Sequence, residues 1–62
     1  MKVIVADNAG VSYHIPESHI FCYYADATDP TKTTVVHAAN GTQIYKSTFD
    51  GTPADLDAIL TS

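Results

Sequence analysis

From Ile20 to Ala25 the chain reads IFCYYA, apolar or aromatic at every position. Strand side chains alternate between two faces. A strand here therefore sets Ile20, Cys22 and Tyr24 on one side and Phe21, Tyr23 and Ala25 on the other. Both sides need cover, and the chain has only 62 residues with which to supply it. That length makes a single domain over residues 1–62, which buries about 60% of the surface its unfolded chain exposes. If Ile20, Cys22 and Tyr24 pack inward, Phe21 and Tyr23 are left on a face that either a curled sheet or another chain must meet.

The flanking segments read as further short strands. KVIVAD (2–7) is β-rich, DNAG (7–10) has turn chemistry, and VSYHI (11–15) alternates, so the three together predict a hairpin. Pro16 ends the second run because proline cannot donate to a ladder. Asp29-Pro30 marks a turn, TTVVHAA (33–39) follows, and Asn40-Gly41 separates it from TQIYKS (42–47). Asn-Gly between two β-rich runs predicts a two-residue type I′ loop. That loop pairs His37 with Ile44 and Val36 with Tyr45. Directly paired residues share a face, which puts Val35, His37, Ile44 and Lys46 together and Tyr45 on the opposite side.

At the C-terminus the period changes. Thr52 suits an N-cap, Pro53 the first helical position and Asp55 the positive end of a helix. Leu56, Ile59 and Leu60 then form one apolar stripe. A helix of about ten residues does not survive alone, so it must dock on the sheet, with Phe49 leading into it. The expected fold is α+β: a small antiparallel sheet or half-barrel of about five short strands with one short C-terminal helix.

This layout resembles the small flagellar FlbD-type proteins and the C-terminal part of LytTR-type DNA-binding domains. The resemblance runs over nearly the whole chain. It rests on Asn8 and Gly10 in the first turn, on Ile15, Ile20 and Tyr23, on Thr34 and Val36, on Asn40 and Gly41, and on Leu56, Ile59 and Leu60. It implies the fold. DNA binding does not carry over, because this chain has no arginine, and Phe21 stands where FlbD-type chains place a charged residue.

Charge and composition narrow the partners. Three basic residues stand against seven acids, for a formal net charge of −4. Phosphate backbones demand clustered Lys and Arg, whereas Lys2, Lys32 and Lys46 are scattered singly, so nucleic acid is not an expected partner. The longest apolar runs fall far short of the ~20 residues of a membrane span. The first residues are too short for a signal-peptide core, so the cytoplasm is the default location. Cys22 is the only cysteine, which rules out an internal disulfide. A small domain without one is commonly reinforced by a metal or by a partner chain.

Candidate chemistry is sparse. His14, His19, Cys22 and His37 are the soft metal ligands, and structural zinc wants four of these converging. Pro16 interrupts the chain between His14 and His19, and Cys22 points away from His19 on a regular strand, so no metal or other cofactor is expected. Cys22 between Phe21 and Tyr23 reads as a core thiol. Asp55 and Asp57 lie two apart on a helix and do not face each other, and no phosphate loop is present. No catalytic residue is assigned. The expected function is a non-enzymatic interaction module that self-associates, or binds or inhibits a partner protein, through an aromatic sheet face; a phage-encoded inhibitor of a host protein is one such role. The expected contact residues are Phe21 and Tyr23 with His19 and Tyr45. The alternative expectation is a nucleic-acid-associated LytTR-like domain or a metal-stapled one.

Overall fold

The computed structural model describes residues 2–38 and 43–62. Strands β1 (Val3–Asn8) and β2 (Val11–Pro16) form the first hairpin, and a 3-10 turn over Glu17–His19 leads into β3 (Ile20–Ala25). Strands β4 (Thr33–Ala38) and β5 (Ile44–Phe49) follow, and then helix α1 (Pro53–Thr61). The strands make one sheet in the order β2-β1-β5-β4-β3, and every neighbouring pair is antiparallel. The expected α+β fold of five strands and one C-terminal helix is the one observed.

Hairpin β1–β2 closes on Ala9 and Gly10, with Asn8 paired to Val11. Both loop residues have positive φ, 52° and 82°, as a type I′ turn requires. Glycine adopts that conformation freely, whereas an alanine there costs about 1–2 kcal/mol. At the other end of the hairpin Pro16 sits on the sheet edge, where its missing N–H removes no ladder bond. The Glu17 amide donates to the Lys2 carbonyl at 2.8 Å and holds the start of the 3-10 turn against β1.

That turn forces the sheet to curl. Strands β2 and β3 are the two outer strands, yet only Glu17–His19 separate them. Outer strands of a flat five-stranded sheet stand about 19 Å apart. Four Cα-to-Cα steps, from Pro16 to Ile20, span at most about 14 Å. The sheet therefore wraps, and its concave face holds the core of Ile4, Ala6, Ile15, Val35 and Leu56, flanked by Tyr13, Ile20, Tyr23, Phe49 and Leu60.

Two register details correct the alternation read from sequence. First, β3 carries a bulge: Ile20 pairs with His37 and Cys22 with Val36, leaving Phe21 without a partner of its own. The extra residue flips everything after it. Tyr23 consequently faces the core opposite Val35, while Cys22 and Tyr24 face outward with Val36 and Thr34. The exposed cysteine is not a core thiol, and Tyr23 is not on the uncovered face. Second, Ala38 pairs with Ile44, His37 with Tyr45 and Val36 with Lys46. This is one residue away from the two-residue-loop register, and a one-residue slip exchanges the two faces of a strand. Tyr45 therefore joins His37 on the concave face, and Ile44 and Lys46 turn outward. The Asn40-Gly41 turn itself lies outside the described residues.

Helix α1 starts as its sequence predicts. Asp55 N–H donates to Thr52 Oγ1 at 3.2 Å, Thr52 N–H donates back to Asp55 Oδ2 at 3.1 Å, and Pro53 occupies the first turn. This reciprocal box satisfies two amides that the first turn leaves free. Leu56 is fully buried and Leu60 is partly buried against the core, but Ile59, expected on the same stripe, is 41% exposed. Its far end is tied to β1 through Lys2 Nζ, which donates to Ser62 Oγ at 2.8 Å.

Across the helix–sheet boundary Tyr23 OH donates to Asp57 Oδ1 at 3.0 Å. That hydrogen bond, with Asp57's negative charge beside it, raises the tyrosine above its ordinary value. A folded value above the unfolded one gives a contribution that is complete below about pH 10 and is lost as pH rises through the raised value. Subtracting the ultraviolet titration of Tyr23→Phe from that of the parent isolates this phenol. Its midpoint should lie above 10; a midpoint at or below 10 would remove the Asp57 bond.

Candidate functional site

Two surfaces gather the candidate residues once the core is assigned. One is a cleft of about 550 Å³ where the edge of β2 and the 3-10 turn overhang the ends of β4 and β5. Its aromatic part comes from three different strands. Tyr13 pairs with Ala6 on β1, which turns it to the concave face, and His37 pairs with Tyr45 on that same face. Ring centroids lie 5.9 Å apart for Tyr13–Tyr45, 6.1 Å for Tyr13–His37 and 6.3 Å for His37–Tyr45. The planes cross at 73°, 50° and 81°. Tilted and edge-to-face arrangements at these distances are the favourable ones for quadrupolar rings.

His37 forms the floor of this cleft at 2% exposure, and both its nitrogens are engaged. Nδ1 lies 3.0 Å from the Ala38 carbonyl, and Nε2 lies 2.8 Å from Ser47 Oγ. A carbonyl oxygen can only accept, so Nδ1 carries the proton. In the neutral ring Nε2 is then the acceptor of the Ser47 hydroxyl. A hydroxyl beside an imidazole is the arrangement of an activated nucleophile. Ser47, however, is 1% exposed, and no substrate carbonyl reaches its oxygen. The pair ties β4 to β5 inside the core.

His14 and His19 line the same cleft, with Pro16 between them in the chain. The proline break between His14 and His19 argues against their convergence, yet all three histidines border one cleft, because the wrapped sheet brings the edge of β2 over β4. Cys22 does not join them; it stands on the outer face. Among the described residues no group of three or more His, Cys, Asp or Glu is placed to hold a metal ion. The side chains of Tyr13, His14 and His19 make no hydrogen bond to another described residue.

The second surface is the convex face of β3, β4 and β5. Phe21 is 62% exposed, Ile44 59% and Tyr24 45%, and Cys22 and Val36 stand paired between them. Lys46 is the one charged residue that the register places on this face of the three strands.

The four contact residues expected from sequence are thus divided. Phe21 is on the convex strip, His19 and Tyr45 border the cleft, and Tyr23 is under the helix and bonded to Asp57. Sequence reasoning missed Tyr24 and Ile44 on the strip and the Tyr13–His37–Tyr45 cluster in the cleft. The pairing of Tyr13 opposite Ala6 was readable from the first hairpin; the position of Tyr45 depends on a loop length that Asn-Gly alone does not specify. Among the described residues no helix is long and apolar enough to cross a membrane. No family model, no curated protein and no solved structure matches this chain.

Proposed function

We propose that this chain is a non-enzymatic interaction module that self-associates through the convex face of β3, β4 and β5. The observation that carries this reading is the strip of Phe21, Tyr24 and Ile44, large apolar side chains between 45% and 62% exposed on one face. Contiguous exposed apolar surface of this kind marks an interaction site. Charge favours a second copy as the occupant. No acid lies within β3, β4 or β5, so the strip is where two chains of net charge −4 meet with least repulsion, with Asp26 at its rim accepting from Thr34 Oγ1 at 3.1 Å. The bulge at Phe21 blunts the β3 edge against strand-to-strand pairing. A standard interface takes about 800 Å² from each partner, roughly a fifth of the 3955 Å² that this chain exposes.

Light scattering over a concentration series should give a mass rising above the 6.6 kDa of one chain. The double variant Phe21→Asp, Ile44→Asp should stay at the single-chain mass with an unchanged circular dichroism spectrum. A parent that remains a monomer up to millimolar concentration overturns the proposal. So does a double variant that unfolds, because those side chains would then belong to the core.

A further inference from the structure

We propose that the free edge of β2 binds an extended basic peptide as a further, antiparallel strand of the sheet. This goes beyond self-association, because it uses the edge of β2 and not the convex face. Strand β2 is terminal in the sheet order, so one of its two backbone sides has no neighbouring strand. The residues flanking a two-residue hairpin loop exchange both their hydrogen bonds, and bonded and non-bonded pairs alternate from there. Asn8 and Val11 flank the Ala9-Gly10 loop, so Val11, Tyr13 and Ile15 bond to β1. Ser12 and His14 therefore direct both N–H and C=O away from β1. Both residues are exposed, and no turn or loop backbone bonds to them among the described residues. Such a row of donors and acceptors is a template for the backbone of another extended chain. Exposed edges are ordinarily defended by a bulge, a charged side chain or a proline. The β3 edge has its bulge at Phe21. Strand β2 pairs with β1 without a register shift, no Lys, Asp or Glu lies between Val11 and Ile15, and Pro16 stops pairing only at the end.

Charge selects the occupant. From Val3 to Glu17 the charged residues are Asp7 and Glu17, both acids. Lys2, just before this stretch, bonds Ser62 at the end of α1. Asp7 pairs with Ser12 and accepts from Ser12 Oγ at 2.8 Å, which fixes its carboxylate on the convex side beside the edge. Two copies joined at β2 would double those acids at one junction, whereas a basic strand meets them with opposite charge. Side chains opposite Ser12 and His14 share the side of the sheet on which Asp7 stands, so these are the positions for lysine. The side chain opposite Tyr13 lies on the other side, beside a half-buried ring, and is apolar.

The probe is acetyl-Val-Lys-Val-Lys-Val-amide, with its central valine opposite Tyr13 and its lysines opposite Ser12 and His14. It is titrated at low salt into isotope-labelled protein, following backbone amide resonances. The Ser12 and His14 amides should shift saturably and exchange with solvent at least ten-fold more slowly in the complex. N-methylation of both lysines removes the two amides that face β2 and should weaken binding at least ten-fold. N-methylation of the central valine, whose amide points away, should leave binding within about three-fold of the parent peptide. The analogue with glutamate in place of both lysines should bind at least ten-fold more weakly. His14→Pro removes an edge amide without removing a ladder bond to β1, and should lose binding while the fold persists. Absence of saturable shifts at Ser12 and His14, equal losses from the two methylation patterns, a glutamate peptide that binds as well as the lysine one, or full binding by a folded His14→Pro overturns the proposal. So does protection of the same two amides in the free protein that grows with its concentration, because a second copy then fills the edge. Should His14→Pro fail to fold, the methylation comparison on the parent protein decides alone.

Discussion

Leu56→Ala is expected to remove most of this domain's stability. Leu56 is fully buried at the centre of the core, and truncating such a leucine costs about 2–5 kcal/mol, the lost transfer energy plus the cavity left behind. A domain of 62 residues holds roughly 3–9 kcal/mol in all. The loss is amplified by where Leu56 sits. It is the one fully buried side chain of a nine-residue helix, and a helix that short does not persist without its docking contact. When α1 loosens, Val35, Ile4 and Ala6 beneath it lose their cover together.

Thermal unfolding followed by circular dichroism gives the measure. For a domain of this size each kcal/mol moves the midpoint by about 4–8 °C, so the midpoint should fall by roughly 10 °C or more. Ile59→Ala, on the same helix but 41% exposed, should change stability by less than about 1 kcal/mol. Equal effects at the two positions would mean that the helix docks through a broader face than Leu56 alone.

What the sequence discloses here is what local chemistry decides. Thr52, Pro53 and Asp55 define the start of α1 within four residues of chain, and Asn8 through Val11 define the first hairpin, so both are legible without knowing the rest. The candidate surfaces depend on pairings between distant segments. A single bulged residue, Phe21, exchanges Tyr23 for Tyr24 on the convex face, and nothing in IFCYYA marks which of its residues is the extra one. Likewise the slip between β4 and β5 moves Tyr45 from one face to the other. Without that slip the Tyr13–His37–Tyr45 cluster does not exist. The aromatic composition was visible throughout; its sidedness was set by registers that are fixed only when the whole sheet closes around Leu56.

The His37–Ser47 pair shows the same dependence, and breaking it is the second large effect expected. Ser47→Ala leaves Nε2 of a ring that is 2% exposed without a partner, and an unsatisfied buried acceptor costs about 1–3 kcal/mol. His37→Leu strands the Ser47 hydroxyl in the same way. Replacing both at once removes the donor and the acceptor together, so the double variant should be less destabilised than the two singles added, by about 0.5–3 kcal/mol. Nitrogen-15 shifts of the imidazole in the parent should report the Nδ1–H tautomer, which the Ala38 carbonyl at 3.0 Å requires. In Ser47→Ala the Nδ1 proton should remain, because its acceptor is backbone, while Nε2 loses its hydrogen-bonded shift. Strict additivity of the two substitutions, or an Nε2–H tautomer in the parent, would show that Ser47 and His37 are neighbours without being partners. The consequence reaches the cleft, since His37 is its floor: a ring no longer held by Ser47 can rotate, and the crossed planes of Tyr13, His37 and Tyr45 are then no longer fixed.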